Sequence, residues 1–90
     1  MKPTMWACLS IEYEDVDTLE NCVYEIYYFT NELERDKVYD YLEDKRSELN
    51  CPDDIDDLVE KYAKEYNIIY LTDNDDFMQP HHIDTETFEW

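Results

Sequence analysis

In the stretch TMWACLSIEY, residues 4–13, Met5, Ala7, Leu9, Ile11 and Tyr13 alternate with Thr4, Cys8, Ser10 and Glu12, interrupted at Trp6. Alternation with period two turns one set of side chains to a core and the other to water, so the segment reads as a half-buried β-strand. The next apolar stretch, NCVYEIYYFT at residues 21–30, is rich in the aromatic and branched types that suit a pleated surface. The two predict a hairpin. Glu14–Glu20 between them holds no Asn-Gly or Gly-X pair, which disfavours a tight two-residue turn and predicts a longer acidic loop.

Beyond the hairpin the period changes. Asn31 followed by Glu34 resembles a capping box, and Val38, Leu42, Lys45 and Leu49 recur at near-helical spacing, predicting a helix over about 32–49. Its acids Glu32 and Glu34 lie at the start and Lys45 and Arg46 towards the end, as the helix dipole favours. Pro52 suits the first position of a second helix, in which Ile55, Leu58, Val59, Tyr62 and Tyr66 form an apolar stripe running to about Asn67. Ile68–Thr72 reads as a strand inserted into the sheet with both faces covered. Ile83, Thr85 and Thr87 allow a last edge strand near 83–89, which would leave room for a homodimer. The order β-β-α-α-β, with a further C-terminal strand, predicts an α+β fold: a small single-layer antiparallel sheet packed against a helical hairpin, one domain over residues 1–90.

Composition limits function. The 90 residues carry 25 Asp and Glu against 7 Lys and Arg, a net charge of −18. Direct nucleic-acid binding and polybasic attachment to membrane both need clustered cations, which this chain lacks. Aromatic content of 16% separates it from acidic disordered tails and predicts a folded, modest core. Without any glycine there is no P-loop and no GxGxxG. Three cysteines without CxxC spacing, and an apolar run at Met5–Leu9 too short for a secretory segment or a membrane span, predict reduced thiols and a cytoplasmic setting.

At 100° per residue Asp36, Asp40 and Glu43 fall together on the first helix with Glu32 beside them, and Asp53, Asp56, Asp57 and Glu60 lie opposite the apolar stripe of the second. With Asp73, Asp75 and Asp76 after the third strand, these are the candidate partner-binding residues. From Pro3 to Glu34 there are eight acids and no Lys or Arg, and from Glu65 to Trp90 seven acids and again none, so these segments have no local cation to pair with. A useful net charge for a small domain is about 2–8 in magnitude, and more destabilises the compact state by self-repulsion. Duplex DNA carries one charge per about 1.7 Å, so 18 charges correspond to about 31 Å of duplex, close to the roughly 30 Å diameter of a chain this long.

In these respects the chain resembles the phage and mobile-element DNA-mimic proteins, among them anti-restriction and some anti-CRISPR inhibitors, which are small, single-domain, strongly acidic and often tyrosine-rich. The resemblance rests on composition and on the ridges Asp36/Asp40/Glu43 and Asp53/Asp56/Asp57/Glu60, not on a shared motif. It implies a non-enzymatic inhibitor whose carboxylates occupy the basic groove of a host nucleic-acid-binding protein, in the host cytoplasm. Tyr13, Tyr27, Tyr39 or Tyr70 would anchor such an interface where exposed. The alternative is a protein-interaction module, antitoxin-like or an assembly partner, binding through aromatic or apolar residues such as Trp6, Phe88 and Trp90, with charge serving solubility alone.

Other chemistry finds less support. His81-His82 beside Asp84 and Glu86 lacks recognisable metal-ligand spacing, and Asp73–Asp76 lacks the glycine of a calcium loop. Neither metal nor cofactor is expected. Carboxylates are so abundant that some pair always has a catalytic separation, and Ser10, Ser47 and the cysteines fit no nucleophile pattern. The solvated-surface reading, in which the charge only keeps the protein in solution, stands beside both hypotheses.

Overall fold

The computed structural model describes residues 2–90. Strand β1, Ala7–Glu14, pairs antiparallel with β2, Asn21–Phe29, and β2 pairs antiparallel with β3, Tyr70–Thr72. Two helices, α1 at Glu32–Asp44 and α2 at Asp53–Tyr66, connect β2 to β3. The last strand, β4 at Asp84–Glu89, lies on the far side of β1, giving the order β3-β2-β1-β4. The α+β class and the strand-strand-helix-helix-strand order agree with the sequence pattern, and the terminal edge strand is present.

The sheet is mixed rather than antiparallel, because β4 runs parallel to β1, from Ala7 opposite Asp84 to Glu12 opposite Glu89. The reason lies in the connection after β3. It turns at Asp73–Asp76, bridges Thr4 at Met78 and packs Phe77 and Ile83 over Met5, Cys8 and Tyr28, on the sheet face opposite the helices. A chain carried across the sheet in this way re-enters in the direction of β1. It also buries Cys8 and Ser10, so the first half of β1 is covered on both faces instead of one. The expected central strand at 68–72 is a three-residue, half-buried edge strand.

Leu9, Ile11, Tyr27, Phe29 and Phe88 from the sheet meet Val38, Leu42, Leu49, Ile55, Val59 and Ala63 from the helical layer in the main core. Helix α1 starts as expected, with the Asn31 carboxamide accepting from the Glu34 amide at 2.8 Å. It ends at Asp44, and a 3₁₀ turn at Arg46–Glu48 brings Leu49 into the core with extended backbone. An unbroken helix to 49 would continue past that position, so Lys45 and Arg46 lie outside α1 and its last turn has no basic residue. Helix α2 ends in Asn67, whose φ of 56° takes the left-handed position usually held by glycine and lets the Ile68 amide bond to the Ala63 carbonyl at 2.9 Å. The hairpin loop is closed by the Asp15 amide on the Glu20 carbonyl, with Leu19 at a φ of 60°.

Candidate acidic interface

Of the 25 acids, five carboxylates sit in ion pairs among the described residues: Asp36 and Asp84 on Arg35, Glu43 on Arg46, Glu48 on Lys45 and Asp76 on Lys2. A second group is held by tyrosine hydroxyls. The Tyr24 hydroxyl shares its one proton between Asp53 at 2.6 Å and Asp56 at 2.9 Å, Tyr27 donates to the other oxygen of Asp56, and Tyr28 donates to Asp73 at 2.6 Å. A hydroxyl fixes a carboxylate without cancelling its charge. The bond to Asp53 with burial pushes the Tyr24 phenol up, and burial with the bond to Asp73 pushes that of Tyr28 up to about 12, so both stay protonated donors.

A bulge in β2 makes the Asp56 clamp. Ile11 pairs with Glu25 and Glu12 with Val23, leaving Tyr24 as the extra residue. In a regular strand Tyr24 and Tyr27, three apart, would face opposite ways. The bulge resets the phase so that both reach the N-terminal turn of α2. Sequence spacing contains no signal for it.

The predicted residues therefore divide. Asp53, Asp56 and Asp73 are acceptors for the β2 tyrosines, Asp75 accepts the Thr72 amide at 2.9 Å, and Asp76 pairs with Lys2. Asp36 and Glu43 partner arginines. Glu43 is held below the usual carboxylate range chiefly by its bond to Arg46. Glu32, Asp40, Asp57 and Glu60 are exposed and outside the ion pairs. The two ridges do not form one face. That of α1 is tied to β4, through Arg35 to Asp84 and Arg46 to the Glu89 carbonyl, whereas that of α2 is tied to β2, with β1 between those strands.

Attachment to β4 adds acids that the sequence reading left unassigned. Asp84 and Glu86 lie on the helix-facing side of β4, in register with Ala7 and Leu9, and Glu86 and Glu43 both raise the Tyr39 phenol after burial, placing them around one ring. Asp36, Glu43, Asp84 and Glu86 thus form one acidic edge along α1 and β4. The alternation of acids with Phe88 in DTETFE was the available signal.

The predicted aromatic anchors divide: Trp6, at 54% exposed, and Trp90 are open, whereas the others are buried or half-buried. Tyr27 and Phe88 are core residues, Tyr70 packs edge-on to Tyr27 at 5.7 Å and Tyr39 edge-on to Phe88 at 6.2 Å, while Arg46 covers the Phe88 ring. A further aromatic surface lies at the α1–α2 seam. Tyr41 stacks on Tyr62 with centroids 4.5 Å apart and planes at 20°, and Tyr66, expected in the core stripe, follows at 4.6 Å and is 58% exposed. Among the described residues no three His, Cys, Asp or Glu side chains gather as a metal-binding group, and no helix is long and apolar enough to cross a membrane. Neither a family model, nor a curated protein, nor a solved structure matches the chain.

Proposed function

We propose that the protein is a nucleic-acid mimic that inhibits a basic DNA- or RNA-binding protein by occupying its Lys/Arg groove. The supporting observation is the way the carboxylates are held: few are neutralised, and tyrosine hydroxyls orient Asp53, Asp56 and Asp73 while leaving their charge in place. Rigid, unneutralised anions are what such a groove receives from a phosphate backbone. The extents of the molecule, 42 × 28 × 20 Å, support the reading in magnitude. A duplex 42 Å long carries about 25 phosphate charges, so a net −18 on this length is about seven-tenths of duplex density, below the equality expected for a molecule of roughly 30 Å. Its partner is a host nucleic-acid-binding protein, its setting the cytoplasm, and it acts without catalysis, cofactor or direct contact with nucleic acid.

The test is competition. Protein recovered from a host lysate on the immobilised chain is challenged with duplex oligonucleotide and with salt. A basic nucleic-acid-binding protein released by both is the expected result, with affinity falling at least tenfold between 50 and about 200 mM salt. Recovery of partners indifferent to salt and oligonucleotide would transfer support to the interaction-module alternative. Glu32→Gln, Asp40→Asn and Glu86→Gln together remove charge from the exposed acids of α1 and β4 without touching an ion pair, and are expected to weaken the complex while leaving the fold intact.

A further inference from the structure

We infer that the seam between α1 and α2 is a docking site for arginine side chains of the partner, rather than for cations in general; this rests on the proposed mimicry and adds a locus and a preferred residue to it. The aromatic ladder Tyr41–Tyr62–Tyr66 crosses from one helix to the other, with Tyr62 packed against the main core and Tyr66 exposed. Tyr24, Tyr27 and Tyr28, in contrast, are bound to carboxylates from the sheet side. Asp40 and Glu65 lie close enough to Tyr62 to push its phenol up, after burial and Tyr66, so the ladder is flanked by anions from both helices.

Beside Tyr41 the seam opens into a groove of about 360 Å³, lined also by Leu58, Asp57, Glu48, Lys45 and Lys61. Lys45 is paired with Glu48 at 3.4 Å. Lys61 is the cation facing the groove outside an ion pair, and Asp54 and Asp57 in the same wall outnumber it. The groove offers the Tyr41 ring, Leu49 and Leu58 and the carboxylates of Glu48, Asp54 and Asp57 in a mainly polar lining, with the exposed Tyr66 ring farther along the ladder. An aromatic face beside carboxylate acceptors matches a guanidinium. That group is planar, weakly hydrated, stacks on tyrosine and donates to carboxylates at its edge. A lysine ammonium would gain the charge attraction but little from the ring faces.

The probe is a pair of peptides of equal charge, hexa-arginine and hexa-lysine, titrated into the full chain at fixed ionic strength. Hexa-arginine is expected to bind about fivefold more tightly. Tyr66→Ser, at an exposed position, and Tyr41→Leu should abolish that preference while changing hexa-lysine affinity less than twofold. Should Tyr41→Leu unfold the chain, ring-proton shifts of Tyr41, Tyr62 and Tyr66 in the unmodified protein, produced by hexa-arginine and absent with hexa-lysine, read the same contact. Equal affinity for the two peptides, or a preference that survives both substitutions, overturns the inference. The two proposals fail separately. Competition with oligonucleotide for a basic partner, without arginine preference, removes only the seam; arginine preference without such competition removes the mimicry.

Discussion

The Asp56 carboxylate accepts from two tyrosines of one strand, and each bond joins a neutral donor to a charged acceptor, a kind that contributes about 1.5–3 kcal/mol. Tyr27→Phe is therefore expected to lower unfolding free energy by about 2 kcal/mol in urea titrations, and more than Tyr24→Phe, because Tyr27 is the buried partner. The raised phenols set the alkaline limit. An unfolded tyrosine ionises near pH 10, whereas folded Tyr28 keeps its proton to about 12, through burial and its bond to Asp73. Its contribution is fully present below pH 10 and is lost as pH rises from 10 towards 12. The urea midpoint should follow that course, with a smaller drop in Tyr28→Phe; a loss beginning below pH 9 would contradict the assignment. Leu19 is a different case, a 75% exposed leucine at a φ of 60°. The left-handed conformation costs such a residue about 1–2 kcal/mol and asparagine less, so Leu19→Asn should raise the melting temperature.

At the scale of elements, β4 is joined to the domain by its ladder with β1 and by two arginines of the helical layer. Arg35 is the buried one. Burial acts against its charge, but Asp84 and Asp36 outweigh it and hold its pKa above the ordinary value, so the guanidinium remains a donor to the Asp84 carbonyl at 2.9 Å and carboxylate at 3.0 Å. Both carboxylates are about half exposed, so solvent screens the pair and its loss is smaller than that of a fully buried one. Arg35→Met should cost about 1–3 kcal/mol, and hydrogen exchange should accelerate first at the β4 amides, with β1 and β2 least affected. The helical pattern and its start were legible in the sequence. Its end was not, because Lys45 and Leu49 sustain the period while the core needs Leu49 at a position that only a tightened turn supplies.

For the whole molecule, a net −18 opposes compaction, and the domain tolerates it by placing its cations where they tie elements together. Screening should relieve the repulsion. Raising sodium chloride from 20 to 300 mM is expected to stabilise the protein by about 1 kcal/mol, or about 4–8 °C in melting temperature, a rise that scanning calorimetry checks. The same salt should weaken the proposed complex, so free protein and complex respond in opposite directions. Unchanged stability across this range would mean that the carboxylates lie too far apart to repel, which would also weaken the case for mimicry.

The amino-acid order determined the hairpin, both helices, the terminal strand and the excess of anions, since each depends on local periodicity or on counting. The structure decided which anions are oriented and which stand free. Tyr24 and Tyr27 meet Asp56 across about thirty residues only because a bulge shifts the strand by one position. Asp84 and Glu86 join the α1 ridge only because the chain crosses the sheet and re-enters parallel to β1. Strand phase and strand direction are set by packing against distant segments, and a one-residue shift reverses the face a side chain presents.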